Sequence, residues 1–235
     1  MDKKRLGILL AVWLAANFLP HALVFLFTGG LSYRLSPVWM LTAEWAVVLL
    51  NLSLPPAADY FLLKERGSVA ENFGWKWKGW RTPAYGAAGL VIFIGVAFLT
   101  QHSIGDPISS PAQRFSTIAE LLLLLLLLLG LTAPAEETMF RGWLQRHFIR
   151  AYGVWPGIAL AAVLFGLRYL PMDLYGGVSQ HAPLSAWASR MLELYALAFI
   201  LGIVRHYARS TWASWLVREA VLLLVVILAV VAGLG

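Results

Sequence analysis

The sequence has no cysteine and few charged residues. Without cysteine, the chain forms no disulfide, has no thiol nucleophile, and offers neither a thiolate zinc site nor a cysteine-linked lipid anchor. Charged residues make up 13% of the 235 residues, whereas 60% are hydrophobic. A soluble domain carries about 25% charged and about 45–50% apolar residues. The composition therefore excludes an ordinary soluble domain and predicts a membrane protein.

Histidine is also sparse, and its spacing does not suit a metal site. The five histidines are scattered, no two of them are four residues apart, and there is no His-Glu-x-x-His motif. Helical zinc sites generally use such a pair, because residues four apart share one helix face. We therefore expect no bound metal, and we expect no cofactor.

Long apolar stretches repeat along the whole chain without a long polar linker, which predicts a single integral membrane domain over residues 1–235. Each stretch is close to the roughly 20 residues that cross the hydrocarbon core as a helix. Seven of them stand out, at residues 6–27, 39–63, 84–101, 118–134, 154–171, 184–204 and 211–234. We predict an all-α polytopic transmembrane bundle of seven helices. Pro134 should break or kink the fourth, and a helix resuming over residues 135–152 would be an eighth.

The distribution of lysine and arginine predicts a cytoplasmic N-terminus. With that orientation, 13 of the 18 basic residues fall in cytoplasmic segments and the outer loops hold only Arg34 and Arg114. Basic residues of membrane proteins concentrate on the cytoplasmic side, so the net charge of +6 indicates no nucleic-acid partner. In the first large inner loop, over residues 75–81, three tryptophans alternate with three cations. This pattern is typical of a segment at the level of the lipid headgroups.

The first apolar stretch follows the sequence Met-Asp-Lys-Lys-Arg, which resembles the start of a signal peptide. We interpret the stretch as a retained span, because the apolar run is longer than an h-region and no small-residue cleavage site ends it. Other ionisable residues also fall within spans. Arg190 and Glu193 are three apart on one helix face and should neutralise each other. Glu44 and Glu120 have no partner that the sequence reveals.

The densest cluster of polar residues follows the leucine-rich stretch, at residues 134–142. Glu137 and Arg141 are four apart with the acid first, the favoured order for a helical ion pair. Glu136 lies about 100° further round the helix and lacks that partner. We interpret Glu137 and Arg141 as a structural pair and Glu136 as a carboxyl group that faces a cavity. The alternative is a helix N-terminus that favours acids through its dipole.

The residues that follow place a second segment beside this cluster. The Gly-Val-Trp-Pro sequence at residues 153–156 predicts a turn between two antiparallel helices. Glu136 lies 17 residues before Gly153 and Tyr169 lies 16 after it, so at about 1.5 Å per residue the two are at a similar height. We therefore expect residues 165–169 to face the same cavity as Glu136.

These residues give the sequence a resemblance to the CPBP family of intramembrane proteases. This group is related to the type II CAAX prenyl endopeptidases and to bacteriocin-processing or immunity proteins. Glu136-Glu137-x-x-x-Arg141, followed by Gly142, is similar to the first motif of that family. The family-like core covers about residues 115–225.

The other two motifs are incomplete. Phe165-x-x-x-Tyr169 aligns with the second motif, Phe-x-x-x-His, so a tyrosine stands at the histidine position. Residues 210–215 resemble the lead-in to the third motif, and Arg218 is the best match for its histidine. Leu222 then occupies the position of its asparagine. The resemblance implies five site residues, namely Glu136, Glu137, Arg141, Tyr169 and Arg218.

The resemblance implies that Glu136 activates water for attack on a peptide bond and that Tyr169 and Arg218 replace two imidazoles. Tyrosine is a poor base, with a pKa near 10, and arginine does not release its proton. As a fixed cation, Arg218 has two alternative roles. It can stabilise an oxyanion, or it can clamp Glu136 in a buried ion pair.

Two functions therefore remain open. One is an intramembrane endopeptidase that cleaves a peptide, lipidated or not, near the cytoplasmic face of a bacterial or archaeal plasma membrane. The other is an inactive relative that serves as a membrane binding, immunity or assembly protein. A small-molecule transporter is disfavoured, since the sequence shows no internal repeat and no matched pair of broken helices.

Overall fold

The computed structural model describes residues 3–27, 37–65, 67–99, 128–170 and 184–233. All regular structure in these ranges is helical, and they contain no strand. The helices, in chain order, are α1 (Lys3–Asn17), α2 (Leu19–Phe27), α3 (Pro37–Ala57, extended by a π-helical turn over Ala58–Leu62), α4 (Val69–Asn72), α5 (Arg81–Leu99), α6 (residues 128–152), α7 (Val154–Leu167), α8 (Leu184–Ala208) and α9 (Thr211–Gly233). The predicted all-α fold is confirmed.

Helices of spanning length and composition occur in the described part of the chain. Three are long and apolar enough to cross a bilayer, at Lys3–Phe27, Thr42–Leu62 and Met191–Ala208. Two shorter apolar helices lie at Arg81–Val96 and Val154–Leu167. The chain is an integral membrane protein of helical-bundle type. Most of the fourth predicted span, over residues 118–127, lies outside the described residues, so the number of seven spans stays a prediction.

Helix α6 alternates between π-helical and α-helical geometry. Its runs are Leu128–Thr132 (π), Ala133–Glu136 (α), Glu137–Leu144 (π) and Gln145–Tyr152 (α). Of the break or kink predicted at Pro134, the break is absent, because the chain stays helical through this residue. Proline lacks the N–H that an α-helix needs, and the wider π turns on both sides of this position use a different hydrogen-bond register. The Thr138 hydroxyl also donates to the Pro134 carbonyl at 2.8 Å.

The turn between α6 and α7 forms where the sequence predicts it. Gly153 adopts φ +88°, a conformation that residues with side chains rarely adopt, and α7 begins at the next residue. Gly157 then lets the two helices approach closely, because a Cβ at this position would lie 2.5 Å from the backbone nitrogen of Ile149. The hairpin therefore aligns the cluster on α6 with the C-terminal end of α7.

The hairpin lies at the centre of the packing. Helix α7 packs between the C-terminal half of α6 and α8, while α5 packs on α8 and α9. Helices α1 and α2 pack on α3, which also contacts the middle of α6. Paired amide hydrogen bonds between Asn17 and Asn51 join α1 to α3 inside the bundle. The middle of α6, which carries the polar cluster, is therefore enclosed by α3, α7 and α9.

A short segment over residues 73–78, here called the strap, crosses the start of α9. The Thr211 hydroxyl donates to the Phe73 carbonyl at 2.6 Å, and the Ser210 hydroxyl donates to a strap carbonyl at 2.7 Å. Trp75 reaches α6, where its indole N–H donates to the Thr138 hydroxyl at 3.0 Å. The strap therefore ties the first inner loop to both helices that carry the site.

Candidate active site

The carboxylate of Glu136 is buried and surrounded by donors from α7 and α9. Arg168 Nη2 lies 2.7 Å from Oε1, and the Arg218 guanidinium contacts Oε2. The Tyr169 hydroxyl donates to both oxygens at 3.4 Å. The structure thus brings Glu136 together with Tyr169 and Arg218, as the sequence reasoning requires. It also adds Arg168, so two cations hold the one carboxylate.

Glu137 is buried on the neighbouring face of α6 and has a different set of partners. The Ser214 hydroxyl of α9 donates to Oε2 at 2.5 Å. Arg141 Nε lies 3.7 Å from Oε1, which is ion-pair distance but too long for a hydrogen bond. Arg218 Nη1 lies 4.0 Å from the same oxygen. Arg218 therefore stands between the two adjacent glutamates.

Arg141 connects three helices through its guanidinium. It is buried on α6, its Cζ lies 4.4 Å from the ring centroid of Phe165 on α7, and its Nη2 donates to the Ala198 carbonyl of α8 at 3.4 Å. The guanidinium of Arg218 lies 5.5 Å from the same ring. Cations at such distances are attracted to the face of an aromatic ring. Phe165, the first residue of the second motif, therefore supports both arginines.

The network continues into the N-terminal half of the protein. Arg168 Nη2 lies 3.0 Å from Glu44 Oε2 on α3, and the other Glu44 oxygen lies 3.3 Å from His21 Nε2 on α2. Glu44, for which the sequence revealed no partner, is thus bound on both sides. Sequence reasoning did not single out Arg168. Its position beside Tyr169 was the signal that could have placed it in the site.

The ion pairs around Glu136 and Glu137 involve three acids and three arginines. The acids Glu44, Glu136 and Glu137 face the arginines Arg141, Arg168 and Arg218. An unpaired charge in a low-dielectric interior is expensive, and removing one member of a buried pair is strongly destabilising. The arrangement therefore requires each of these charges, and it is stable only when α3, α6, α7 and α9 come together.

Several polar atoms of this network have no hydrogen-bond partner among the described residues. They include Glu137 Oε1, Arg141 Nε and Arg218 Nη1. Buried polar groups are nearly always satisfied by protein or by ordered water. Arg141 Nε and Arg218 Nη1 both lie within ion-pair distance of Glu137 Oε1, and their N–H groups are suited to bind a water molecule or the carbonyl oxygen of a peptide.

A second polar cluster lies ten residues further along α6, where ligand atoms of Asp59, Glu65 and His147 fall within 4.8 Å of one another. The guanidinium of Arg146 contacts Asp59 and lies 3.4 Å from a Glu65 oxygen. The Trp143 indole N–H donates to Asp59 at 2.6 Å. The positive charge that a metal would supply therefore comes from Arg146.

The model of the family described as type II CAAX prenyl endopeptidase Rce1-like matches residues 118–221. The match covers 104 of the 235 residues, a little under half of the chain. The matched segment contains all five predicted site residues together with Arg168 and Ser214. Over that segment, the chain is similar to this family of CAAX-type proteases. No curated protein and no solved structure matches it.

The candidate site contains residues that sequence reasoning missed. Ser214, Glu44 and His21 come from separate helices, and no local spacing connects them to Glu136. Ser214 does fall within the lead-in to the third motif, which is the only signal that points to it. Two predictions cannot be compared with the fold, since Glu120 and the side chain of Arg190 lie outside the described residues.

Proposed function

We propose that this chain is a non-catalytic member of the Rce1-like family. In this proposal it acts as a membrane binding or assembly protein on the protease scaffold and does not hydrolyse peptides. The supporting observation is the position of Arg168 and Arg218, one on each oxygen of Glu136.

These two contacts of Glu136 with Arg168 and Arg218 are here called the clamp. They bear on catalysis because a general base must lie within hydrogen-bond reach of the water that it deprotonates. Each oxygen of Glu136 is already engaged by a guanidinium, and both oxygens also accept from the Tyr169 hydroxyl. Neither Tyr169 nor Arg218 can take over as the base at neutral pH, since a phenol and a guanidinium keep their protons there. The carboxylate of Glu136 then serves as the centre of an ion-pair network.

The direct test is a hydrolysis assay on the purified protein in detergent or nanodiscs. The substrates are matched peptides with and without a C-terminal prenylated cysteine. We expect the unaltered chain to show the same background rate as Glu136→Gln. Glu71→Gln is the control, since Glu71 is an exposed acid whose partner is Lys76 in the inner loop. Hydrolysis by the unaltered chain that persists in Glu71→Gln and disappears in Glu136→Gln would refute the proposal.

A gain-of-function experiment asks whether the clamp is the reason for inactivity. The double substitution Tyr169→His with Arg218→His removes one of the two cations and supplies two imidazoles beside Glu136. One oxyanion donor is typically worth about 10²–10³ in rate. If the scaffold retains a peptide site, we expect the double variant to hydrolyse peptide and the addition of Glu136→Gln to abolish that activity.

The second candidate is an active endopeptidase in which Glu136 deprotonates water for attack on a peptide bond near the cytoplasmic face. The complete first motif within the family match favours it. Here a bound peptide draws Arg218 away from Glu136, and the arginine stabilises the oxyanion that forms on the carbonyl. Glu136 then delivers the proton to the departing amine. The unpaired N–H groups of Arg141 and Arg218 suit this role. The same assay separates the two candidates.

A further inference from the structure

Arg205 is a cation without a partner in the described part of the chain. It lies in the last turn of α8, three residues before the end of the candidate span Met191–Ala208. Its Nε is fully buried and has no hydrogen-bond partner, and no acid there lies within ion-pair distance of its guanidinium. The side chain is only partly buried, so its outer edge can be reached by a ligand.

The charges nearest to Arg205 do not neutralise it. Two of them are the cations Arg146 and Arg150, whose acidic partners are Asp59 and Glu65. The third is Glu137, which is held within the Glu136 network.

Around Arg205 and the neighbouring Arg146 and Arg150, positive charge exceeds negative charge. The arginines Arg5, Arg146 and Arg150 share two carboxylates, Asp59 and Glu65. Arg205 adds a further positive charge that interacts with Arg146 and Arg150. Like charges that are close together and partly desolvated repel strongly unless an anion lies between them. The excess of positive charge therefore favours binding of an anion.

The backbone beside Arg205 is shaped to let the guanidinium approach. Gly74 of the strap adopts φ +73°, and a Cβ at this position would lie 3.1 Å from Arg205 Nη2. It would also lie 3.0 Å from the Thr211 hydroxyl. Glycine thus removes a side chain that would crowd the guanidinium against α9. The buried Nε of this guanidinium has no hydrogen-bond partner among the residues that the structure describes.

The position of Arg205 along the membrane normal indicates which kind of anion it binds. The end of a span lies at the level of the lipid phosphates, and the count of basic residues places this end in the cytoplasmic leaflet. Lys76 is less available there, because its ammonium lies 2.6 Å from Glu71, and this hydrogen bond lowers the pKa of the Glu71 carboxyl. Arginine binds phosphate through two parallel N–H groups. We propose that Arg205 binds a phosphate group at the cytoplasmic surface, from a lipid headgroup or from free phosphate.

Thermal unfolding in an uncharged detergent tests this site. The additions are phosphatidylglycerol, an uncharged diglyceride, inorganic phosphate, and sodium chloride at matched ionic strength. We expect a phosphate-bearing ligand to raise the unfolding midpoint, whereas the diglyceride and chloride should not. A shift with phosphatidylglycerol alone identifies a lipid headgroup as the source, and a shift with inorganic phosphate as well identifies a free phosphate site.

Substitutions connect the response to Arg205. Arg205→Gln should weaken the apparent affinity by about tenfold or more, since charge-assisted hydrogen bonds are lost. Arg205→Lys keeps the charge without the paired N–H groups and should give an intermediate affinity, which also covers the case of a glutamine variant that fails to fold. Arg209→Gln removes an exposed cation four residues away and should respond like the unaltered chain. Equal responses of the unaltered chain and Arg205→Gln, or of all four additions, would overturn the proposal.

Discussion

Replacing Arg218 with methionine tests the clamp on Glu136 through stability. The substitution keeps a long side chain that can still pack on Phe165 but removes the cation that contacts Glu136 and stands 4.0 Å from Glu137. The buried network then contains three acids and two arginines. Breaking a buried ion pair by removing one partner costs about 3–5 kcal/mol. We expect Arg218→Met to lower the free energy of unfolding by about that amount.

A double-mutant cycle isolates the interaction itself. Glu136→Gln together with Arg218→Met restores charge balance, so the double variant should lose less stability than the two single variants combined. The difference should be near the upper end of the roughly 0.5–3 kcal/mol seen for residues in direct contact. The measurement is equilibrium unfolding in mixed micelles, with the protein titrated from an uncharged detergent into dodecyl sulfate.

The control for this cycle is Arg150→Met. Arg150 pairs with Glu65 at 3.0 Å, but its side chain is 56% exposed. Exposed ion pairs contribute about 0–1 kcal/mol, so this variant should be close to the unaltered chain. If Arg218→Met cost no more than Arg150→Met, or if Glu136→Gln and Arg218→Met were additive, the clamp would not hold Glu136 as described.

Further predictions concern packing and hydrogen bonding within the same helices. Ser214→Ala removes the 2.5 Å hydrogen bond to Glu137 and should cost about 1.5–3 kcal/mol in the same unfolding titration, because the acceptor is charged. Gly157→Ala places a Cβ 2.5 Å from the Ile149 nitrogen and should destabilise the hairpin by about 1–3 kcal/mol. Gly95→Ala on α5 meets no atom within 4 Å and should be neutral or stabilising by up to about 1 kcal/mol. Similar effects of the two glycine substitutions would contradict the close helix contact.

Much of the candidate site followed from local rules. The turn at Gly153 and the rise per residue placed Glu136 beside Tyr169, and the spacing of Glu137 and Arg141 predicted their ion pair. The composition was enough to predict a helical membrane protein. These inferences held because a helix fixes the direction and height of its side chains over a few turns.

The missed contacts join residues that are far apart in sequence. Glu44 and Arg168 are separated by 124 positions, and no periodicity reveals that their helices pack together. Pro134 shows the opposite case: a local rule predicted a break or kink, and the break does not form. The helix continues because π-helical turns flank the proline, and a propensity rule does not include that option.

The charge balance of the network has a consequence for how the protein is made. Glu44 lies on α3 and Arg168 lies at the C-terminal end of α7, so each helix meets the bilayer with a charge whose partner is 124 positions away in the sequence. A central charge adds about 2.5–3.5 kcal/mol to the insertion of a helix. The network around Glu136 is complete only after α9, which carries Arg218, has left the translocation machinery. A nascent chain stalled before that point therefore holds Glu136 and Glu137 without the Arg218 guanidinium.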